Sequence, residues 1–359
     1  MQITKQLFFK KYKRLTVLFI IVTSLAAGLL LYLNLKKPEL TANSVSKPGT
    51  VCKASDMTCK TEQKYQLLTE ASGVEAAFKQ LRLDYESDLS VRSSCHPLTH
   101  IIGRAAGSKA ATVAAAYAQG DEFCWSGYYH GVMEAMLSKI EPDKMLGQLD
   151  TVCSSVSQNN TYNFEHYNCV HGLGHGVMLI NEHELFKSLD YCDKLGDAWE
   201  RESCYSGVFM ENIMASINPD HTTKYIINDQ PLYPCTAVKD KYKQQCYLMQ
   251  TSQALTSLDG DFEKVFQLCA GIEKNLQATC YQSLGRDASG RSISNAAQTR
   301  DTCMLGKEAE AVTNCTIGAV KDFISYYHSD VQASEYCNLL EPTIRDVCLA
   351  TAKEYYATF

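Results

Sequence analysis

The strongest constraint on this chain is the spacing of its cysteines. Cys235, Cys269, Cys303 and Cys337 recur every 34 residues, and a second series, Cys246, Cys280, Cys315 and Cys348, runs beside it at steps of 34, 35 and 33. Cys192 with Cys204, and Cys153 with Cys169, carry both series upstream with small insertions. Two interleaved series at one period mark a repeated supersecondary unit. Sixteen cysteines in 359 residues, an even number, suit a disulfide framework in an oxidising compartment. Apolar residues make up 45% of the chain, as in an ordinary globular protein, so the crosslinks add to a core rather than replace one.

Long stretches from about residue 61 lack strand alternation and are rich in Ala, Leu, Gln, Glu and Lys, which predicts helices. Asp261 to Gly290 shows the unit: Phe262, Val265, Phe266, Cys269 and Ile272 share one helical face, Glu273-Lys274-Asn275 break it, and a second helix carries Cys280 and Leu284. Each hairpin then has one cysteine late in its first helix and one early in its second, close across the turn. The expected pairs are Cys192–Cys204, Cys235–Cys246, Cys269–Cys280, Cys303–Cys315, Cys337–Cys348 and Cys153–Cys169, leaving Cys95–Cys124 and Cys52–Cys59 by elimination. Pro97, Pro142 and Pro342 fit first-turn positions of helices. Hairpins of this length over residues 70–357 resemble the tetratricopeptide-like (Sel1-like) repeat class in period and architecture. The W-x-x-L-G-x-x-Y pattern of that class is absent, so the resemblance implies a fold and no functional residue. It implies an all-α protein, an α-solenoid of about eight hairpins with a concave groove open to a peptide or protein partner.

Residues 15–33, LTVLFIIVTSLAAGLLLYL, are uncharged and long enough to cross a bilayer as one helix. Lys5, Lys10, Lys11, Lys13 and Arg14 precede them, which predicts a cytoplasmic tail over 1–14, a signal anchor over 15–33 and an extracytoplasmic remainder. The polar stretch 34–60, with Pro38, Pro48 and Gly49, reads as a linker to the repeat domain 61–359. The net charge of −6 is uneven: residues beyond 40 hold 27 basic and 39 acidic groups, or −12. An acidic ectodomain excludes nucleic acid as a natural partner, and its only expected membrane contact is the N-terminal helix.

Seven of the nine histidines fall in the part of the repeat domain spanning 95–183, five of them in three short segments; residues 184–359 are poor in them. Three segments begin at a cysteine and place candidate ligands four residues apart: His96 and His100 after Cys95, His130 and Glu134 after Cys124, His171 and His175 after Cys169. Residues four apart share a helix face. Six positions after the cysteine that opens each second helix stand His130 and His175, then Met210, Ser252, Arg286, Lys321 and Glu354. The repeat therefore does not require histidine there. A lone buried histidine is most often a hydrogen-bonded core residue, but twin i,i+4 pairs on neighbouring helices match the way bundles hold transition metals.

The expected metal ligands are His96, His100, His130, Glu134, His171 and His175, for Zn, Cu or Fe. Glycines beside them, Gly127, Gly131, Gly172, Gly174 and Gly176, cost helix stability and point to close helix approach or to room for an ion. HGLGH over 171–175 lacks the glutamate of a zincin motif, so any hydrolytic base would be Glu134 or Glu211. His166 is expected at a helix entry or behind the ligands, and His183, His221 and His328 at the surface. There is no G-x-S-x-G, no phosphate-binding glycine loop and no haem-attachment motif. The two readings are an anchored extracytoplasmic metal-binding protein and a non-enzymatic scaffold that binds a partner in its groove.

Overall fold

The computed structural model describes residues 52, 56–141, 144, 147–156, 163–217, 223–292 and 295–358. The apolar stretch 15–33, its basic flank, Pro142 and His221 lie outside the described residues. Among the described helices none is long and apolar enough to cross a membrane. In chain order the helices are α1 Met57–Ser72, α2 Val74–Ser87, α3 Leu89–Ser93, α4 Cys95–Lys109, α5 Val113–Tyr117, α6 Gly127–Leu137, α7 Leu149–Val152, α8 Phe164–Ile180, α9 Leu185–Cys192, α10 Ala198–Ile217, α11 Asp240–Ser257, α12 Phe262–Ala270, α13 Lys274–Arg291, α14 Ala296–Cys303, α15 Ala309–Tyr327, α16 Val331–Asn338 and α17 Pro342–Tyr356. No strand occurs among the described residues.

The hairpin of α12 and α13 shows why the period folds as it does. Asp261 caps α12 by accepting from the Lys264 amide. Val265, Phe266 and Cys269 then bury one face, and Gly271 ends the helix. α13 begins at Lys274, two residues before the break in the pattern implies, and Cys280 on its second turn bonds to Cys269. Eight disulfides join Cys52–Cys59, Cys95–Cys124, Cys153–Cys169, Cys192–Cys204, Cys235–Cys246, Cys269–Cys280, Cys303–Cys315 and Cys337–Cys348, with Cα separations of 5.4–5.8 Å. No free cysteine remains among the described residues. Cys95–Cys124 differs in kind: it ties the start of α4 to the residues before α6, because α3, the short partner of α4, carries no cysteine.

The long helices α4, α6, α8, α10, α11, α13, α15 and α17 each pack on the next. Three of these contacts are close enough to need glycine. A Cβ on Gly131 of α6 would stand 2.1 Å from the His100 carbonyl oxygen of α4; one on Gly207 of α10 would stand 1.9 Å from that of His171 in α8; and one on Gly318 of α15 would stand 1.8 Å from that of Gln282 in α13. Beside the histidines, Gly131 and Gly174 therefore serve backbone-to-backbone approach, while Gly172 and Gly176 make room for the side chains of Met133 and Leu137. The same device in α13 and α15, which carry no histidine pair, shows that it belongs to the scaffold.

The row of helices returns on itself. Trp125 Nε1 donates to Asp322 Oδ1 at 3.0 Å, the hydroxyls of Tyr85 and Tyr326 meet at 2.6 Å, and His328 Nδ1 lies 2.6 Å from Glu122. His328 thus joins two distant parts of the chain instead of standing free at the surface. A cavity of about 530 Å³ at this seam is lined by Arg82, Glu122, Tyr129, Tyr326 and His328, and by none of the clustered histidines.

Asp322 is buried at the seam, and burial, only partly offset by Arg286 and Trp125, pushes its carboxyl up to about 6. A group with a raised folded pKa contributes stability below its unfolded pKa of 3.8, and that contribution is lost as pH rises through about 6. Asp322→Asn keeps an acceptor for Trp125 and removes the buried charge. The expected outcome is a gain of roughly 1–3 kcal/mol at pH 7 that fades by about pH 4, measured by urea denaturation at both values. A variant less stable than the parent at pH 7 would contradict this reading.

Candidate metal centre

The five clustered histidines come from three consecutive long helices. His96 and His100 stand on the first turns of α4, His130 on α6, and His171 and His175 on the middle of α8. Glu134 lies one turn after His130, and Glu211 reaches in from α10. The rings pack directly on one another: His130 has its centroid 5.6 Å from His96, 5.3 Å from His100, 4.7 Å from His171 and 5.0 Å from His175. His100, His130, His171 and His175 are buried and His96 is partly so. They form a core, not the lining of an open concave groove, because the glycine contacts draw α4 against α6 and α8 against α10.

The hydrogen bonds fix the tautomers. His96 Nδ1 donates to the Cys124 carbonyl at 2.8 Å, which only a protonated nitrogen can do. His100 Nδ1 donates to Glu134 at 2.6 Å and His175 Nδ1 to Glu211 at 2.8 Å. His171 Nδ1 lies 2.7 Å from Ser206 Oγ, whose own proton goes to the Ser203 carbonyl at 2.7 Å, so the serine accepts. A neutral ring in this arrangement keeps its lone pair on Nε2. The Nε2 atoms face each other in pairs: His100 and His96 Nε2 are 3.1 Å apart, and His175 and His171 Nε2 are 3.3 Å apart.

Two neutral imidazoles facing each other through Nε2 at that distance repel, and a cation between them, a proton or a metal ion, removes the repulsion. With metal–nitrogen bonds of about 2.0–2.1 Å, two ligands on one ion stand about 2.9 Å apart at a right angle and about 3.4 Å apart at the tetrahedral angle. Both pairs fall within that interval. The ligand atoms form two triads, His96–His100–His130 and His130–His171–His175, each within 4.8 Å, and the triads share His130. His130 Nδ1 is buried with no hydrogen-bond partner.

Burial and the neighbouring rings hold His96 down to about 3, and His130 and His171 well below their ordinary value, so these rings are neutral and able to ligate. Burial opposes ionisation of Glu134, yet Arg104, donating at 2.5 Å, and His100 outweigh it and keep the carboxyl well below its usual range. Glu134 and Glu211 thus sit on the Nδ1 side of the rings, where carboxylates orient metal-binding histidines. A carboxylate oxygen of each, with His175, makes a third set within 4.8 Å. Each carboxylate accepts from a histidine Nδ1 in this arrangement.

Later hairpins fill the corresponding positions with self-satisfied groups. Thr251 and Ser252 donate to the two oxygens of Asp287 at 2.5 and 2.6 Å, and Arg286 donates to the Leu248 carbonyl at 2.8 Å. No family model, curated protein or solved structure matches the chain. The remaining described histidines, His166, His183 and His328, stand apart from the cluster. His166, at the entry of α8, pairs with Glu200 of α10 at 3.0 Å, and His183 lies partly buried in the turn after α8. Tyr128, next to His130 in sequence, donates to the Ala116 carbonyl at 2.8 Å and belongs to the core. Arg104 and Ser206 are site residues that motif reading passes over. Their signals are positional: Arg104 follows His100 by one turn, and Ser206 stands two residues after its cysteine, as His171 does.

Proposed function

We propose that this protein is a membrane-anchored, extracytoplasmic metal-binding protein that holds a transition metal among His96, His100, His130, His171 and His175. The observation that carries the reading is the pair of facing Nε2 contacts, with every opposing Nδ1 already hydrogen-bonded. Imidazole donors suit Zn, Cu and Fe. The close ring packing favours a buried ion held by the protein over turnover of an organic substrate. Glu134 and Glu211 set ring orientation, and Arg104 balances the charge of Glu134. Eight disulfides fit an oxidising, extracytoplasmic compartment. The uncharged stretch 15–33 and its basic flank support an anchor with the N-terminus in the cytoplasm. The consecutive helix packing supports a tetratricopeptide-like solenoid whose end returns on its start.

Elemental analysis of the full-length chain, purified in detergent, tests the reading. The expected result is stoichiometric Zn, Cu or Fe in the parent and its loss in His171→Ala/His175→Ala, with chelation lowering the melting temperature of the parent alone. A parent that holds no metal even after reconstitution, and melts identically with and without chelator, defeats it.

A further inference from the structure

We propose that the site is dinuclear and that His130 bridges its two ions, one ring nitrogen to each. The proposal rests on the metal-binding reading above and adds the number of ions and the role of one residue.

The four paired histidines do not form one ligand set. They separate into His96 with His100 on α4 and His171 with His175 on α8, and each pair makes a set within 4.8 Å only together with His130. Each pair has the nitrogen spacing of two ligands on one ion, at 3.1 and 3.3 Å. The two pairs share no set within 4.8 Å, so one ion cannot take all four rings where they stand, whereas two ions can take one pair each.

The ring between them is unlike the other four. Each of those has Nδ1 bonded to the Cys124 carbonyl, Glu134, Ser206 or Glu211, which leaves it one metal-binding nitrogen. His130 Nδ1 has no such partner, although the residue is only 4% exposed. A buried ring nitrogen without a partner is costly in a protein core. Coordination at both nitrogens removes that cost and makes the ring an imidazolate. Its proton passes to solvent when the second ion binds, and the negative charge it leaves lies between the two cations. The carboxylates of Glu134 and Glu211, close enough to share a set with His175, put further negative charge beside the pair.

The test uses Cu(II), the tightest divalent ion for an imidazole site. The chelator-stripped full-length protein is titrated while bound copper and the electron paramagnetic resonance signal are followed. Two equivalents are expected. The isolated-ion signal should grow over the first and be lost over the second as the bridge couples the spins, with one proton released at the second step. In His130→Ala, with folding checked by circular dichroism, the coupling and the proton release should both disappear. Binding of one equivalent with a persistent signal overturns the dinuclear proposal and leaves metal binding standing. Two equivalents with a full, uncoupled signal overturn the bridge. No binding overturns the metal reading itself. The parent titration decides among these outcomes whether or not the variant folds.

Discussion

Full reduction of the disulfides, followed by alkylation, unfolds the protein at room temperature. Each hairpin crosslink closes a loop with a sequence separation of 11 or 12 residues, and the two upstream ones close separations of 16 and 29. In the chain-entropy account a loop of this kind restricts the unfolded chain by about 3 kcal/mol, within the usual 2–4 kcal/mol per bridge. Even the lower value over the seven bridges beyond residue 90 comes to about 14 kcal/mol, near the top of the 5–15 kcal/mol that stabilises a typical domain. The crosslinks also sit at the neck of each short first helix, where α9, α12, α14 and α16 are only eight or nine residues long. Helices that short do not persist on their own. The measurement is far-UV circular dichroism with thermal denaturation, comparing oxidised protein with reduced, alkylated protein in the presence of chelator. A reduced protein that still melts cooperatively within a few degrees of the oxidised one would show that the crosslinks are accessory. Removing one bridge, as in Cys269→Ser/Cys280→Ser, should cost about 2–4 kcal/mol and leave the other hairpins folded.

How much of this was legible depended on whether the signal was local. Cysteine period, helix pattern and i,i+4 histidine spacing are short-range properties, and they carried the hairpins and the residues of the cluster. Two features needed the third dimension. The return of the chain joins Trp125 to Asp322 and Tyr85 to Tyr326 across 197 and 241 residues, and no repeat spacing encodes such a contact. An open groove was therefore the natural expectation, and the buried cluster the finding. The second feature is the division of labour between His and Glu. Spacing alone puts Glu134 in the same class as His130, four residues away. In the proposed site the bonds to His100 and Arg104 give it the role of orienting a ring. The glycines left two purposes open, close helix approach or room for an ion, and the facing carbonyls of His100, His171 and Gln282 show the first.

Those carbonyls set the other large expected effect. Gly207→Ala puts a methyl group 1.9 Å from the His171 carbonyl oxygen and 3.1 Å from the Gly174 Cα, both backbone atoms that no rotamer change can move. α8 and α10 must separate by more than 1 Å, an overpacking that costs about 3 kcal/mol or more. The same interface carries the bonds from His171 to Ser206 and from His175 to Glu211. Separation therefore releases the two rings that complete one triad, and metal occupancy should fall with stability. Gly318→Ala serves as the matched control: its methyl would stand 1.8 Å from the Gln282 carbonyl oxygen, in a helix pair without clustered histidines. It should destabilise comparably and leave the metal content of the folded fraction unchanged. Gly290→Ala, with nothing within 4 Å of the new methyl, should be stabilising by about 0.5–1 kcal/mol through helix propensity alone. Denaturation curves and elemental analysis of the three variants separate the effects. If Gly207→Ala and Gly318→Ala lose metal equally, the site is merely sensitive to global stability. If only Gly207→Ala loses it, the approach of α8 to α10 builds the site.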